Sequence, residues 1–208
     1  MRVIIKRPLF PKAFILRLLR WSQRVLFITG ILALGYVGFT LLDATFFQAS
    51  AKRSLETQVR MEQEHKISPP KLPVQKGDIL GRMDIPRLGV SVAVLQGTGS
   101  RMLRLGAGHI EGTPLPGEPG NSGIAGHRDT FFRKLKDVRK DDEIQLQTPT
   151  GLFRYQVDWT KVVDPDDLSV LTPSTTSALT LVTCYPFYLV GPAPSRFVVH
   201  ARRNQPPQ

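Results

Sequence analysis

Eighteen consecutive residues without a charge, Val25 to Leu42 (VLFITGILALGYVGFTLL), limit the architecture of this chain more than any other feature. At about 1.5 Å of rise per residue such a helix reaches roughly 27 Å, close to the hydrocarbon thickness of a bilayer. Inside lipid a backbone has to satisfy its own hydrogen bonds, so a single span of this length is helical. The segment before it carries seven Lys/Arg and no acid in residues 1–24, and the first charge after it is Asp43. The positive-inside rule predicts a cytoplasmic basic segment (1–24), a transmembrane helix (25–42) and an extracytoplasmic remainder. Phe46 and Phe47 suit the outer interface. A cleavable signal peptide is the rival, with Ala49-Ser50-Ala51 as a small-x-small site. The apolar run is longer than the usual core of about 7–15 residues, which favours an uncleaved anchor. Both readings export the rest of the chain.

The net charge of +11 raises the question of nucleic acid. Its distribution answers it: residues 76–208 hold sixteen basic and thirteen acidic side chains, so the excess is N-terminal. A nucleic-acid-binding domain concentrates basic charge on its folded part, and this chain does not. Residues 43–75 read as a stalk: AKRSLETQVRMEQEHKI is polar and helix-forming, and SPPKLPV then interrupts it with three prolines. His65 in this stalk reads as a solvated surface residue.

A domain follows at 76–203, with a short tail at 204–208. Its strand signals are short runs rich in Val, Ile, Leu, Phe and Thr, separated by Gly/Pro turns. They fall at 79–85, 90–95, 122–126, 143–148, 152–163, 178–184 and 196–201. A short helix is predicted at Asp129–Val138, with Asp129 as its N-cap and Phe131, Phe132 and Leu135 as an apolar stripe. Many short strands with so little helix predict a β-barrel or sandwich.

Cys184 is the only cysteine, so no intrachain disulfide and no multi-cysteine metal site is available. It ends the run ALTLVTC, and eleven loop residues later a strand begins at Arg196. Antiparallel pairing of the two strands would set Cys184 opposite Arg196. A guanidinium there favours a thiolate and can bind an oxyanion. A cysteine nucleophile also needs a base, and His127, in AGHRDTFF between a strand and the expected helix cap, is the best placed of the four histidines. Bland readings stand beside these. A single buried Cys is often a small hydrophobe, Arg196 suits a surface ion pair, and His127 suits a loop hydrogen bond. His109 (GAGHIEGTP) sits in a Gly-rich loop, and His200 reads as a barrel-wall residue. Asp164, Asp166 and Asp167 read as turn and cap chemistry, not as a metal site.

The TLVTC strand, the Arg twelve residues after its Cys, and GHRDTFF with its His 57 residues before the Cys resemble the sortase family. The stretches IPRLGVSVAVLQGT, GAGHIEGTPLPGEPGNSGIAGHRDTFF and VVDPDDLSVLTP add to the likeness, and TLVTCYPFYLVGPAPSRFVVHA is closest to the class D group. The resemblance covers about residues 77–201. It implies a mainly β fold: a closed eight-stranded, mostly antiparallel barrel with one or two short helices behind an N-terminal transmembrane helix. It implies a cofactor-free, metal-free cysteine transpeptidase of the bacterial cell surface. Cys184 would attack the Thr carbonyl of an LPxT[G/A]-like sorting motif and form a thioacyl enzyme. His127 would serve as general acid and base, and Arg196 would position substrate and stabilise the oxyanion. Thr183 would help hold substrate or oxyanion, and His109 would be structural. The resting Cys184–His127 pair would be mostly neutral. The partners implied are sorting-motif proteins and an amine acceptor on the cell wall or a surface protein. Two alternatives remain. One is an L,D-transpeptidase-like peptidoglycan crosslinking enzyme, whose HGC-like motif is missing because Val182-Thr183 precede the Cys. The other is a membrane-anchored β-barrel binding module with an inert cysteine.

Overall fold

The computed structural model describes residues 20–39 and 73–204. The chain divides into two compact units, Met1–Asp43 and Ala44–Gln208. In the first, helix α1 (Arg20–Phe39) is 20 residues long and apolar enough to cross a membrane. Its apolar side chains are exposed (Leu34 75%, Phe27 70%). Residues 40–42 of the expected span, the stalk to residue 72, the small-x-small site and residues 205–208 lie outside the described residues.

The second unit is a closed barrel of eight strands. In chain order these are β1 (Ile79–Ile85), β2 (Val90–Gln96), β3 (Ala107–His109), β4 (Asn121–Gly126), β5 (Glu143–Thr148), β6 (Gly151–Val163), β7 (Ala178–Tyr185) and β8 (Ser195–Arg203). Around the barrel they run β1-β2-β3-β4-β7-β8-β6-β5, and β1–β5 pairing closes the ring. Two neighbouring pairs, β2–β3 and β4–β7, are parallel; the others are antiparallel. A short helix α2 (Ser100–Leu105) leads into β3.

The interior follows from strand alternation. Met83 and Ile85 of β1, Val92 and Val94 of β2, Ile124 of β4, Leu179 and Leu181 of β7 and Val199 and Ala201 of β8 form one buried cluster. Every second residue of each strand points inward, so the intervening residues form the outer wall. In β7 these outer positions are Thr180, Val182 and Cys184.

Seven strands begin and end within two residues of the expected runs. The structure adds β3, so His109 belongs to a buried strand rather than a loop. The helix expected at Asp129–Val138 is realised only as a shorter 3-10 segment. Turns run from Arg128 to Phe132, and a 3-10 helix covers Arg133–Asp137 with no side-chain cap. Packing replaces the helix: Phe132 and Leu135 are fully buried, and the Phe132 amide donates to the carbonyl of His127 at 3.1 Å. That bond closes a turn wider than an α-helical one, and Asp129 stays exposed with no capping role.

Candidate active site

The site begins with register. Cys184 and Arg196 are direct partners across the antiparallel β7–β8 pair, one step before its end at Tyr185–Ser195. Residues directly opposite share a face, so both side chains rise from the outer wall of the barrel. Both are partly exposed, and Cys184 is a free thiol. Arg196 Nη1 donates to the carbonyls of Ser195 (3.0 Å) and Ala193 (3.4 Å). With five N–H donors on a guanidinium, its Nε and Nη2 side remains for a ligand.

The parallel β4–β7 pair supplies the third member. Gly126 is the register partner of Thr183, so the residues that follow, His127 and Cys184, leave the ladder side by side. Parallel neighbours lie about 4.8 Å apart. His127 is partly exposed at this strand end. Gly126 is required by the turn below: a Cβ there would stand 2.7 Å from the Phe132 ring. Burial of Phe132 against Gly126 therefore fixes the turn that carries His127.

Thr183 lies on the opposite face from Cys184, 2% exposed. Its hydroxyl donates to the carbonyl of Gly126 at 2.7 Å. Alternation turns Thr183 inward, and its proton is spent on β4. The bond ties the strand end bearing His127 to the strand end bearing Cys184.

Four further residues shape the loops around this centre, and of these only Asp167 had a role suggested by the sequence. Arg128, 9% exposed, donates from Nη2 to the carbonyl of Gly191 at 2.6 Å and so links the His127 turn to the β7–β8 loop. Asn121, 4% exposed, donates to the carbonyls of Val170 (3.1 Å) and Thr172 (3.4 Å) and accepts from Thr180 Oγ1 (2.7 Å). It pins the β6–β7 loop onto the outer face of β4 and β7. Asp167 caps the 3-10 helix Leu168–Leu171 of that loop by accepting from the Ser169 amide at 3.0 Å, which is the turn chemistry its sequence suggested. Phe187 packs edge-on against Phe197, ring centroids 5.3 Å apart, and anchors the start of the β7–β8 loop.

His109 stands apart from this centre. It is 1% exposed, with Nδ1 2.8 Å from Gln96 Oε1 and Nε2 2.9 Å from the carbonyl of Pro114. Burial holds its imidazole pKa below the usual value, against the opposing pull of the Pro114 carbonyl and Glu118. His200 lies in the outer wall of β8. Among the described residues no group of three or more His, Cys, Asp or Glu side chains is arranged to hold a metal ion.

The Sortase domain family matches residues 83–204. Sortase D of Bacillus subtilis strain 168 is 31% identical over 187 residues, which cover 84% of this chain and 93% of that protein. The structure of a Clostridium perfringens Sortase D5 transpeptidase superposes with a TM-score of 0.63 at 27% identity, covering 78% of this chain and 99% of that one. A Clostridium perfringens sortase C, whose structure includes the C-terminal cell wall sorting motif, gives a TM-score of 0.59 at 27% identity, covering 73% of this chain and 88% of that one. With its closed barrel and its cysteine on the strand-end face, the chain belongs to the sortase family of cysteine transpeptidases, in class D.

Proposed function

We propose that this sortase is anchored by α1 and cleaves an LPxT[G/A]-like sorting motif after Thr, using His127, Cys184 and Arg196, and then joins the new carboxyl end to a cell-surface amine. The observation that carries this reading is the juxtaposition at one strand end: Cys184 opposite Arg196 in register, with His127 following the partner of Thr183. The sorting motif in the Clostridium perfringens sortase C structure supports the choice of substrate.

The chemistry needs only these groups. Proton transfer from the Cys184 thiol to His127 gives the nucleophilic thiolate and an imidazolium. The thiolate attacks the Thr carbonyl carbon, and the negative charge that develops on its oxygen meets the Arg196 guanidinium. His127 returns its proton to the leaving amine nitrogen as the C–N bond breaks, leaving a thioester on Cys184. An incoming amine gives a proton to His127, attacks the thioester and expels the thiolate, which regains that proton. The net change is exchange of one amide bond for another. Thr183 serves as a positioning residue through Gly126.

The basic residues at 1–24 favour a cytoplasmic N-terminus, with 1–24 inside, 43–75 as a stalk and the barrel outside the membrane. The test is turnover of an LPxTG/LPxTA peptide panel by the full chain in detergent with an amine acceptor. Amine-capped product from wild type and none from Cys184→Ala is the expected result. Product formation that persists in Cys184→Ala rejects the reading.

A further inference from the structure

The β7–β8 loop presents apolar side chains to solvent at the end of the barrel that carries Cys184. Tyr188 is 86% exposed, Val190 is 97% exposed, and Leu189 between them is exposed as well. From Tyr185 to Ser195 the chain holds no charged residue. The tip is nevertheless fixed in place. The Gly191 carbonyl accepts from Arg128 and the Ala193 carbonyl from Arg196. The Leu189 amide donates to the Pro186 carbonyl at 3.4 Å, and Phe187 packs on Phe197. A loop ordered in this way while its apolar side chains face water is preorganised for a partner.

Strand directions bring a second feature to the same end. β4 is parallel to β7, and the antiparallel steps from β1 through β5, β6 and β8 to β7 are even in number, so β1, β4 and β7 all run the same way. The β1–β2 turn, the exit of β4 and the β7–β8 loop therefore share one end of the barrel. Beyond that exit, segment 133–140 carries five exposed Lys/Arg and one Asp. It is held to the β1–β2 turn by Lys134 Nζ, which donates to the Gly89 carbonyl at 3.0 Å. The exposed acids Asp164 and Asp166 follow β6, on the other side of β8 in the barrel order. An apolar tip with a Tyr, beside a basic stretch, suits the headgroup region of an anionic bilayer. The Tyr sits at the interface, its apolar neighbours go below it, and Lys/Arg meet the lipid phosphates.

A bilayer is also the partner within reach. Helix α1 is apolar enough to cross one, and a tether makes a small, weak contact effective by raising its local concentration. The 33 residues from 40 to 72 separate α1 from the described barrel. Fully extended they span at most about 110 Å, whereas a seven-residue strand such as β1 is about 23 Å long. That length of chain allows either end of the barrel to meet the membrane. We infer that the Tyr188–Val190 tip docks into an anionic lipid surface and thereby holds the Cys184–Arg196 rung at the bilayer.

This inference rests on the anchor reading of α1 above, and one experiment separates the two. Full-chain Val190→Trp and Thr150→Trp are reconstituted in phosphatidylcholine vesicles containing phosphatidylglycerol and acyl-chain-brominated lipid. Thr150 is exposed on the β5–β6 turn, at the opposite end of the barrel. The signal is the emission that each variant adds to that of the native Trp21 and Trp159. At position 190 it is expected to be blue-shifted and to lose about half its intensity to the bromines, since interfacial side chains lie about 5–10 Å into the headgroup boundary. At position 150 it is expected to stay unquenched. Tyr188→Trp should behave as Val190→Trp does, and omitting phosphatidylglycerol should weaken the quenching of both. No quenching at 188 and 190 in vesicle-bound protein, or equal quenching at 150, overturns the docking and leaves the anchor intact. Quenching that is unchanged without phosphatidylglycerol overturns the choice of an anionic surface. A full chain that does not float with the vesicles overturns the anchor reading and the docking with it.

Discussion

Cys184 and Arg196 face each other across the last but one rung of the β7–β8 ladder, so the backbone, not a flexible loop, sets their separation. The guanidinium is further held by the Ser195 and Ala193 carbonyls on one nitrogen. Replacing Arg196 by Ala removes the proposed oxyanion donor and is expected to lower kcat/KM by about 10²–10³-fold. Arg196→Lys keeps the charge and loses the planar fork, so it should recover only part of that loss. Steady-state kinetics on a sorting-motif peptide checks both, and wild-type turnover in Arg196→Lys removes the fork from the account.

His127 is expected to matter for proton transfer and not for folding. His127→Ala should lower turnover by about 10²–10⁴-fold. Its melting temperature should stay near that of wild type, because the turn is held by buried Phe132 and its amide bond to the His127 carbonyl, which the substitution retains. Calorimetry beside the kinetics separates the two effects.

Thr183→Val preserves shape and deletes the buried hydroxyl that caps the Gly126 carbonyl. An orphaned buried acceptor costs about 1–3 kcal/mol, which urea unfolding would register. Activity should fall as well, since the bond aligns the strand ends carrying His127 and Cys184. Loss of activity with undiminished stability would instead point to direct contact between Thr183 and substrate.

The Arg128–Gly191 bond predicts a loop effect. Arg128→Ala should free the β7–β8 loop, read as faster amide hydrogen exchange at 187–194 with exchange in β1 and β2 unchanged. Equal exchange in the loop would show that Phe187 and Phe197 suffice to hold it.

Acid should weaken the fold in two windows. Burial pushes the imidazoles of His109 and His200 below their ordinary value, with Asp158 opposing the shift at His200. The unfolded chain then takes up protons first, so stability is complete above about pH 6.5 and declines as pH falls towards the lower folded values. The Arg87 guanidinium holds the Asp142 carboxyl below its usual range, helped by the Arg139 amide and opposed by burial. That contribution persists down to about pH 4 and is lost as pH falls through the depressed value. Unfolding free energy measured between pH 8 and 3 tests this, and His109→Gln should flatten the upper window.

What was readable in the sequence follows from the range of each interaction. Strand runs such as 79–85 and 152–163 announce themselves by composition, and the Cys184–Arg196 pairing follows from two strands joined by one loop. The placement of His127 beside Cys184 is different: it depends on a parallel pairing of β4 with β7, and no local pattern encodes it. β3 was hidden because it is three residues long and centred on Gly108. The stripe Phe131, Phe132 and Leu135 imitated a helix, whereas Phe132 is claimed by the close approach at Gly126. Asn121 and Arg128 act through loop carbonyls distant in sequence, and their only local signal is a polar side chain beside an apolar strand.

The most direct test is intact-protein and peptide-mapping mass spectrometry of the full chain mixed with a sorting-motif peptide, without acceptor. The account predicts an acyl adduct confined to Cys184, equal in mass to the peptide up to its Thr less one water, released as an amide when an amine is added. Cleavage of the peptide with no adduct on Cys184, or an adduct that amines do not discharge, would contradict it.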